Sequence, residues 1–222
     1  MDLIVAVVDR SGSMGAIKRE AEDGLNSFLK EQQKLGEARF TLAEFDTDYE
    51  LLADDLLLSG FKGYSLEPAG GTALLDAIGR TASRVRDYVV DGKKIFIVVT
   101  DGEENSSKEW TKGSAIYKLI GDLRNEGWET IFIGTDEASL QQASSLGFNT
   151  RTAFAFQGAA GASSAYDMLS TYSTSLRSGS TVAAAEEELE RGIVANAATL
   201  STYADTVEKK QKHKGVTSKE NK

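Results

Sequence analysis

Two apolar runs, Leu3–Val8 and Ile95–Val99, contain no polar break, and each leads into an aspartate: Asp9 directly, and Asp101 after Thr100. An uninterrupted, β-branched-rich run of that length reads as a strand buried on both faces, which confines the chain to layouts with helices on either side of a sheet. The intervening residues supply such helices. Ile17, Ala21, Leu25, Phe28, Leu29 and Leu35 recur at three- and four-residue intervals, a helical stripe closed by Gly36. Residues 39–46 read as a second strand and 49–52 as a third. The Asp46-Thr47-Asp48 turn between them is too short for anything but an antiparallel hairpin. Leu74, Leu75, Ile78, Val85 and Val89 mark a second helix, and after Ile95–Val99 come a helix over 110–126, a strand at 130–134, a helix over 137–146 and a strand at 151–156. This alternation predicts an α/β fold: a doubly wound, mostly parallel central sheet with one short antiparallel edge strand and helices on both faces.

Beyond Gln157 the strand pattern stops. A small-residue stretch, 158–165, precedes one helical stripe through Tyr166, Leu169, Tyr172 and Leu176. A longer stripe through Val182, Leu189, Ile193, Ala197, Leu200, Tyr203 and Val207 is started by Ser180 or Thr181 as a cap. The expected division is therefore a sheet domain over 1–157, a helical extension over 158–208, and a basic tail over 209–222. The extension packs either on its own domain or on a partner helix, in which case it would make oligomers.

Composition narrows the chemistry. The 222 residues include no cysteine and one histidine, so thiolate metal sites and cysteine nucleophiles are excluded. That histidine, His213, sits among terminal lysines, a poor place for a catalytic triad or a metal ligand. The net charge is −9, yet residues 209–222 carry six lysines against one glutamate, leaving −14 on residues 1–208. An acidic body argues against nucleic-acid binding. No stretch has the length of a membrane span or the pattern of a signal peptide, and the expected compartment is the cytoplasm, or a virion if the chain is phage-encoded. Phosphate-loop and dinucleotide glycine patterns are absent. A phosphatase of the haloacid dehalogenase type would need an acid two residues after Asp9, where this chain has Ser11, so no enzyme is expected.

Ligands of doubly wound sheets bind at the carboxyl ends of the central strands, where Asp9 and Asp101 lie. After the first of these the chain reads Asp9-Arg10-Ser11-Gly12-Ser13, placing a carboxylate and two hydroxyls at alternate positions of a tight loop, and so on one side of it. With Asp101 from a second strand end, these oxygens suit a hard divalent cation such as Mg²⁺. Gly70-Gly71-Thr72 offers a further hydroxyl just before a helix.

Asp9-x-Ser11-x-Ser13, Thr72 within Gly-Gly-Thr-Ala-Leu, and Thr100-Asp101-Gly102 together resemble the metal-ion-dependent adhesion site of von Willebrand factor A domains. The resemblance covers residues 2–156, and the remaining helices resemble, more loosely, those of small stand-alone A-domain proteins of bacteria and their phages. It implies that Ser11 and Ser13 ligate the metal through their hydroxyls, that Asp9 and Asp101 act directly or through water, and that Thr72 does either. It further implies a non-enzymatic protein-binding module: Mg²⁺, or Mn²⁺ or Ca²⁺ as substitutes, accepts an Asp or Glu carboxylate from a protein partner. The alternative is an assembly component that works through its C-terminal helices. Around this site, Glu103, Glu104 and Asn105 read either as partner-selecting groups or as a solvated loop. Asp46 reads as a turn residue or a neighbour of the site, Asp136 as a rim candidate, and Trp128 as packing beside the helix that Trp110 also flanks.

Overall fold

The computed structural model describes residues 1–205, 207 and 208. His213 and the lysine-rich segment 209–222 lie outside the described residues. Its centre is β1 (Asp2–Asp9), whose residues Leu3 to Val8 are all fully buried. The strand's period of two divides them between two cores. Ile4, Ala6 and Val8 face α1 (Lys18–Lys34), α5 (Gly158–Arg177) and α6 (Val182–Ala195), while Leu3, Val5 and Val7 face α2 (Leu74–Arg86), α3 (Gly113–Asn125) and α4 (Glu137–Ser145). Burial on both faces is why the run carries no alternation in its sequence.

Among the described residues, seven strands form one sheet. β1 lies between β2 (Ala38–Phe45) and β4 (Lys94–Val99) and is parallel to both; β3 (Tyr49–Leu57), β5 (Trp128–Gly134), β6 (Ala153–Phe156) and β7 (Leu200–Thr202) complete the order β3-β2-β1-β4-β5-β6-β7. The connections from β1 and towards β4 leave in opposite directions, so the strand order reverses between these two, and the crevice expected of a doubly wound sheet opens at their carboxyl ends.

The structure differs from the expected elements at several places. The first helical stripe starts as a 3-10 turn, Gly12–Ile17, and becomes α-helical only at Lys18. β3 runs to Leu57, well past residue 52, with register shifts against β2 at Phe40/Leu42 and Leu42/Ala43. Val89, assigned to the second stripe, lies beyond the end of α2 and is 90 % exposed. The largest difference is at the C-terminal end, where the helical extension expected over 158–208 contains a strand. The helix from Val182 stops at Ala195, and Leu200–Thr202 pair antiparallel with Phe154–Phe156, closing the second edge of the sheet.

α5 is also longer than its apolar stripe, since the small residues 158–165 form its first turns. Those small side chains serve close packing. A Cβ on Gly161 would lie 2.8 Å from the carbonyl oxygen of Thr199, and one on Gly24 of α1 would lie 2.2 Å from Tyr166 Cδ2 of α5. Leu189, Ile193 and Leu200 are buried in the chain's own core, so most of the long stripe is not free for a partner helix, while Ala197 is exposed. No helix among the described residues is long and apolar enough to cross a membrane.

Candidate metal centre

Asp9 is the last residue of β1 and has no exposed surface. Its Oδ1 accepts the amide of Ser11 at 2.6 Å and its Oδ2 accepts the hydroxyl of Thr100 at 2.6 Å. From there the backbone turns sharply, and the alternate residues Ser11 and Ser13 bring their Oγ atoms to 3.0 Å of each other. Ser13 Oγ donates in turn to Asp101 Oδ1 at 2.7 Å. Asp101 follows Thr100, whose amide bonds the carbonyl of Ile133 and so ties this strand end to β5.

Thr72 reaches the same place from the segment before α2. A Cβ on Gly102 would lie 3.0 Å from Thr72 Oγ1 and 3.7 Å from Ser13 Oγ, so both hydroxyls converge over that glycine. The preceding glycines are needed for this approach. Gly70 has φ +66°, a conformation costly for any other residue, and a Cβ on Gly71 would lie 2.3 Å from Ser106 Oγ. All five sequence-predicted residues, Asp9, Ser11, Ser13, Thr72 and Asp101, thus meet at the carboxyl ends of β1 and β4.

The electrostatics of this cluster are unbalanced. Burial raises the Asp9 carboxyl to a pKa of about 6; the hydrogen bonds from Thr100 and Ser11 oppose the shift, and Asp101 adds to it. Burial also raises Asp101, against the hydrogen bond from Ser13. Neither aspartate has an ion-pair partner among the described residues. The nearby Arg10 is turned away to Glu44 and Asp46, at 3.2 Å each. Two carboxylates and three hydroxyls without a protein cation form a hard, oxygen-only donor set, and that donor set fits a small divalent ion. Hydroxyls make up most of it: no group of three or more histidine, aspartate or glutamate residues is placed to hold a metal among the described residues.

The other candidates sort differently. The Glu104 carboxylate accepts the amides of Leu75 at 2.9 Å, Ser106 at 2.9 Å and Ser107 at 2.8 Å, joining the loop after β4 to the start of α2. Asn105 Oδ1 accepts the amide of Thr72 at 2.9 Å, while Glu103 is exposed. Asp136 caps α4, accepting from Ser139 N at 2.8 Å. Trp128 is buried edge-on against Phe96, and Trp110 lies against Gly79 of α2.

Two further residues have structural consequence for the site although neither was given a role from sequence. Thr100, quoted there only as part of the Thr100-Asp101-Gly102 motif, binds Asp9. Asp76 accepts the amides of Lys108, Glu109 and Trp110 at 2.7–3.0 Å and pins the far end of the loop that follows Asp101; as an acidic residue in a first helical turn it gave no hint of this.

A sheet of this order, with its strand reversal between β1 and β4 and these loops at its crest, is the fold of von Willebrand factor A domains. Solved structures with the same fold include the pilus adhesin SpaC from Lactobacillus rhamnosus GG in its open conformation (15 % identity over 77 % of this chain, TM-score 0.60) and the vWF domain of the type V pili tip protein Mfa5 from Porphyromonas gingivalis (12 % over 81 %, TM-score 0.59). BatB from Bacteroides thetaiotaomicron is similar at 14 % identity over 81 %, TM-score 0.56. This chain spans 29 % of SpaC, 97 % of the Mfa5 domain and 100 % of BatB. No family model and no curated protein sequence matches the chain.

Proposed function

We propose that the chain is a non-enzymatic protein-interaction module in which Asp9, Ser11, Ser13, Thr72 and Asp101 hold Mg²⁺ and a partner protein contributes an Asp or Glu carboxylate. The observation that supports this most is the Ser11–Ser13–Asp101 chain of oxygens, at 3.0 and 2.7 Å, beside a buried Asp9 that has no cationic partner among the described residues. A bound divalent cation supplies an electrophilic position that a carboxylate oxygen fills. The residues of this chain supply two charges and neutral hydroxyls, so the pocket does not saturate the ion with anionic ligands. The fold is shared with a pilus adhesin and a pilus tip protein, which agrees with a role in binding other proteins.

The charge of −14 on residues 1–208 implies a partner that is basic around its carboxylate. Mn²⁺ or Ca²⁺ would serve as substitutes on the same oxygens. Calorimetric titration tests the reading: Mg²⁺ should release or absorb heat with the native chain and none with Asp9→Ala or Asp101→Ala, and equal heats would reject it. A partner captured from the native host should be lost in EDTA; one that stays bound points instead to contacts away from the five oxygens.

A further inference from the structure

Three segments meet beside the candidate site: residues 9–13, the 46–48 turn between β2 and β3, and residues 69–73. We infer that Arg10 and Asp46 are positioning residues for the metal centre, a pair that sets the spacing between the Ser11/Ser13 loop and Thr72 although neither side chain is among the five oxygens. The inference rests on the metal-binding reading above.

Asp46 is buried and touches both ligand loops. Its Oδ2 lies 3.2 Å from Arg10 Nε, which is buried and lacks an aligned hydrogen bond, so charge and not alignment holds this contact. Its Oδ1 accepts the amide of Asp48 at 2.7 Å and keeps the turn closed, and its main-chain oxygen accepts the amide of Ala73 at 2.8 Å, one residue after Thr72. The neighbouring Thr47 Oγ1 accepts the amide of Gly71 at 2.8 Å.

Arg10 completes the bracket from the other loop. Its amide donates to Phe45 O at 2.7 Å, its carbonyl accepts Ala69 N at 2.8 Å, and its guanidinium also lies 3.2 Å from Glu44, whose other oxygen accepts the Tyr64 hydroxyl at 3.2 Å. Gly12 N adds a bond to Gly70 O at 3.2 Å. The loops carrying Ser11, Ser13 and Thr72 therefore share one rigid support, and the Arg10–Asp46 pair is its charged link. Groups that orient metal ligands without touching the ion change affinity by about 10- to 100-fold when removed.

Mg²⁺ titration of the full chain by calorimetry, with thermal midpoints in EDTA, tests this. Asp46→Asn keeps an amide oxygen for the Asp48 amide and removes the charge; Arg10→Met removes the other partner, and Arg10→Lys keeps the cation. Asp46→Asn and Arg10→Met should each weaken Mg²⁺ binding by about tenfold, the double variant no more than the weaker single, and Arg10→Lys should recover part of the loss. Asp46→Asn should do this with little change in its metal-free midpoint. If Arg10→Met does not fold, Asp46→Asn and Arg10→Lys decide the matter.

Native-like affinity in Asp46→Asn, with Ser13→Ala losing the ion, overturns the positioning role and leaves the metal centre standing. Losses that multiply in the double variant also overturn it. Absence of Mg²⁺ binding by the native chain overturns the metal reading itself and this inference with it.

Discussion

The hydroxyl of Thr100 donates to Asp9 Oδ2 at 2.6 Å, across the ends of two adjacent parallel strands. The register pairs Val8 with Val99 at the ends of these strands, and the residues that follow, Asp9 and Thr100, lie close enough for this contact. With the Ser11 amide on Oδ1, both oxygens of a fully buried carboxylate are held by neutral donors. Neutral donors orient a charge but only partly replace its hydration, and burial therefore prevails in setting its pKa.

The raised Asp9 pKa makes metal-free stability depend on pH in a stated direction. A free aspartate titrates near 3.9 and Asp9 near 6, so between these values the folded chain holds a proton that the unfolded chain has released. Its contribution is favourable at low pH and is lost as pH rises from about 4 to about 6, to the extent of up to about 3 kcal/mol. Urea unfolding in EDTA should show Asp9→Asn gaining on the native chain across that window. A constant difference between the two would show that Asp9 titrates normally.

Metal should reverse that cost. At an Mg²⁺ concentration a hundredfold above its dissociation constant, binding adds about 2.7 kcal/mol, or about 5–10 °C in midpoint for a chain of this size. Binding should tighten as pH rises through about 6, because the ion and the Asp9 proton compete. Ser13→Ala should lose most of the thermal shift. An unchanged midpoint on adding Mg²⁺ to the native chain would contradict the site.

Gly24 and Gly121 should respond oppositely to alanine. A Cβ at Gly24 would overlap the Tyr166 ring, whereas one at Gly121 of α3 meets nothing within 4 Å. Gly24→Ala should cost about 1–3 kcal/mol in chemical denaturation through overpacking. Gly121→Ala should gain up to about 1 kcal/mol from helix propensity. Equal effects would mean that α1 and α5 are not in the contact described.

A chain ending at Gln157 should not fold. It would lose α5, α6 and β7 and uncover one face of Ile131, Phe154 and Phe156, all in the core those elements complete. Circular dichroism and proteolysis of the shortened chain should report an unfolded or aggregating species. A cooperative transition like that of the full chain would instead establish residues 1–157 as an independent domain.

The parts legible in the sequence were those with a local signature. β1 and β4 are long apolar runs because both faces of each are buried, and the Asp9-Ser11-Ser13 alternation follows from backbone geometry within five residues. Elements defined by a distant partner were misread. Leu200 fits the helical period of the residues before it, yet Leu200–Thr202 form a strand because the edge of β6 offers unpaired backbone groups there. Glu104 looks like a solvated loop charge in sequence, and only the approach of the α2 start turns it into an acceptor of three amides.

By itself the sequence determined the class of sheet, the two acidic strand ends and the oxygen types offered at its crest, because these depend on residue period and on which side chains carry hard oxygens. Only the tertiary structure decided that Thr72 and Asp101 come to Ser13 and that Asp9 has no counter-cation among the described residues. It alone showed that Arg10 is drawn off to Glu44 and Asp46, and that the last helices enclose the same core. Those outcomes depend on contacts between segments tens of residues apart, whose formation is set by strand register and by the packing of whole helices against both faces of one sheet.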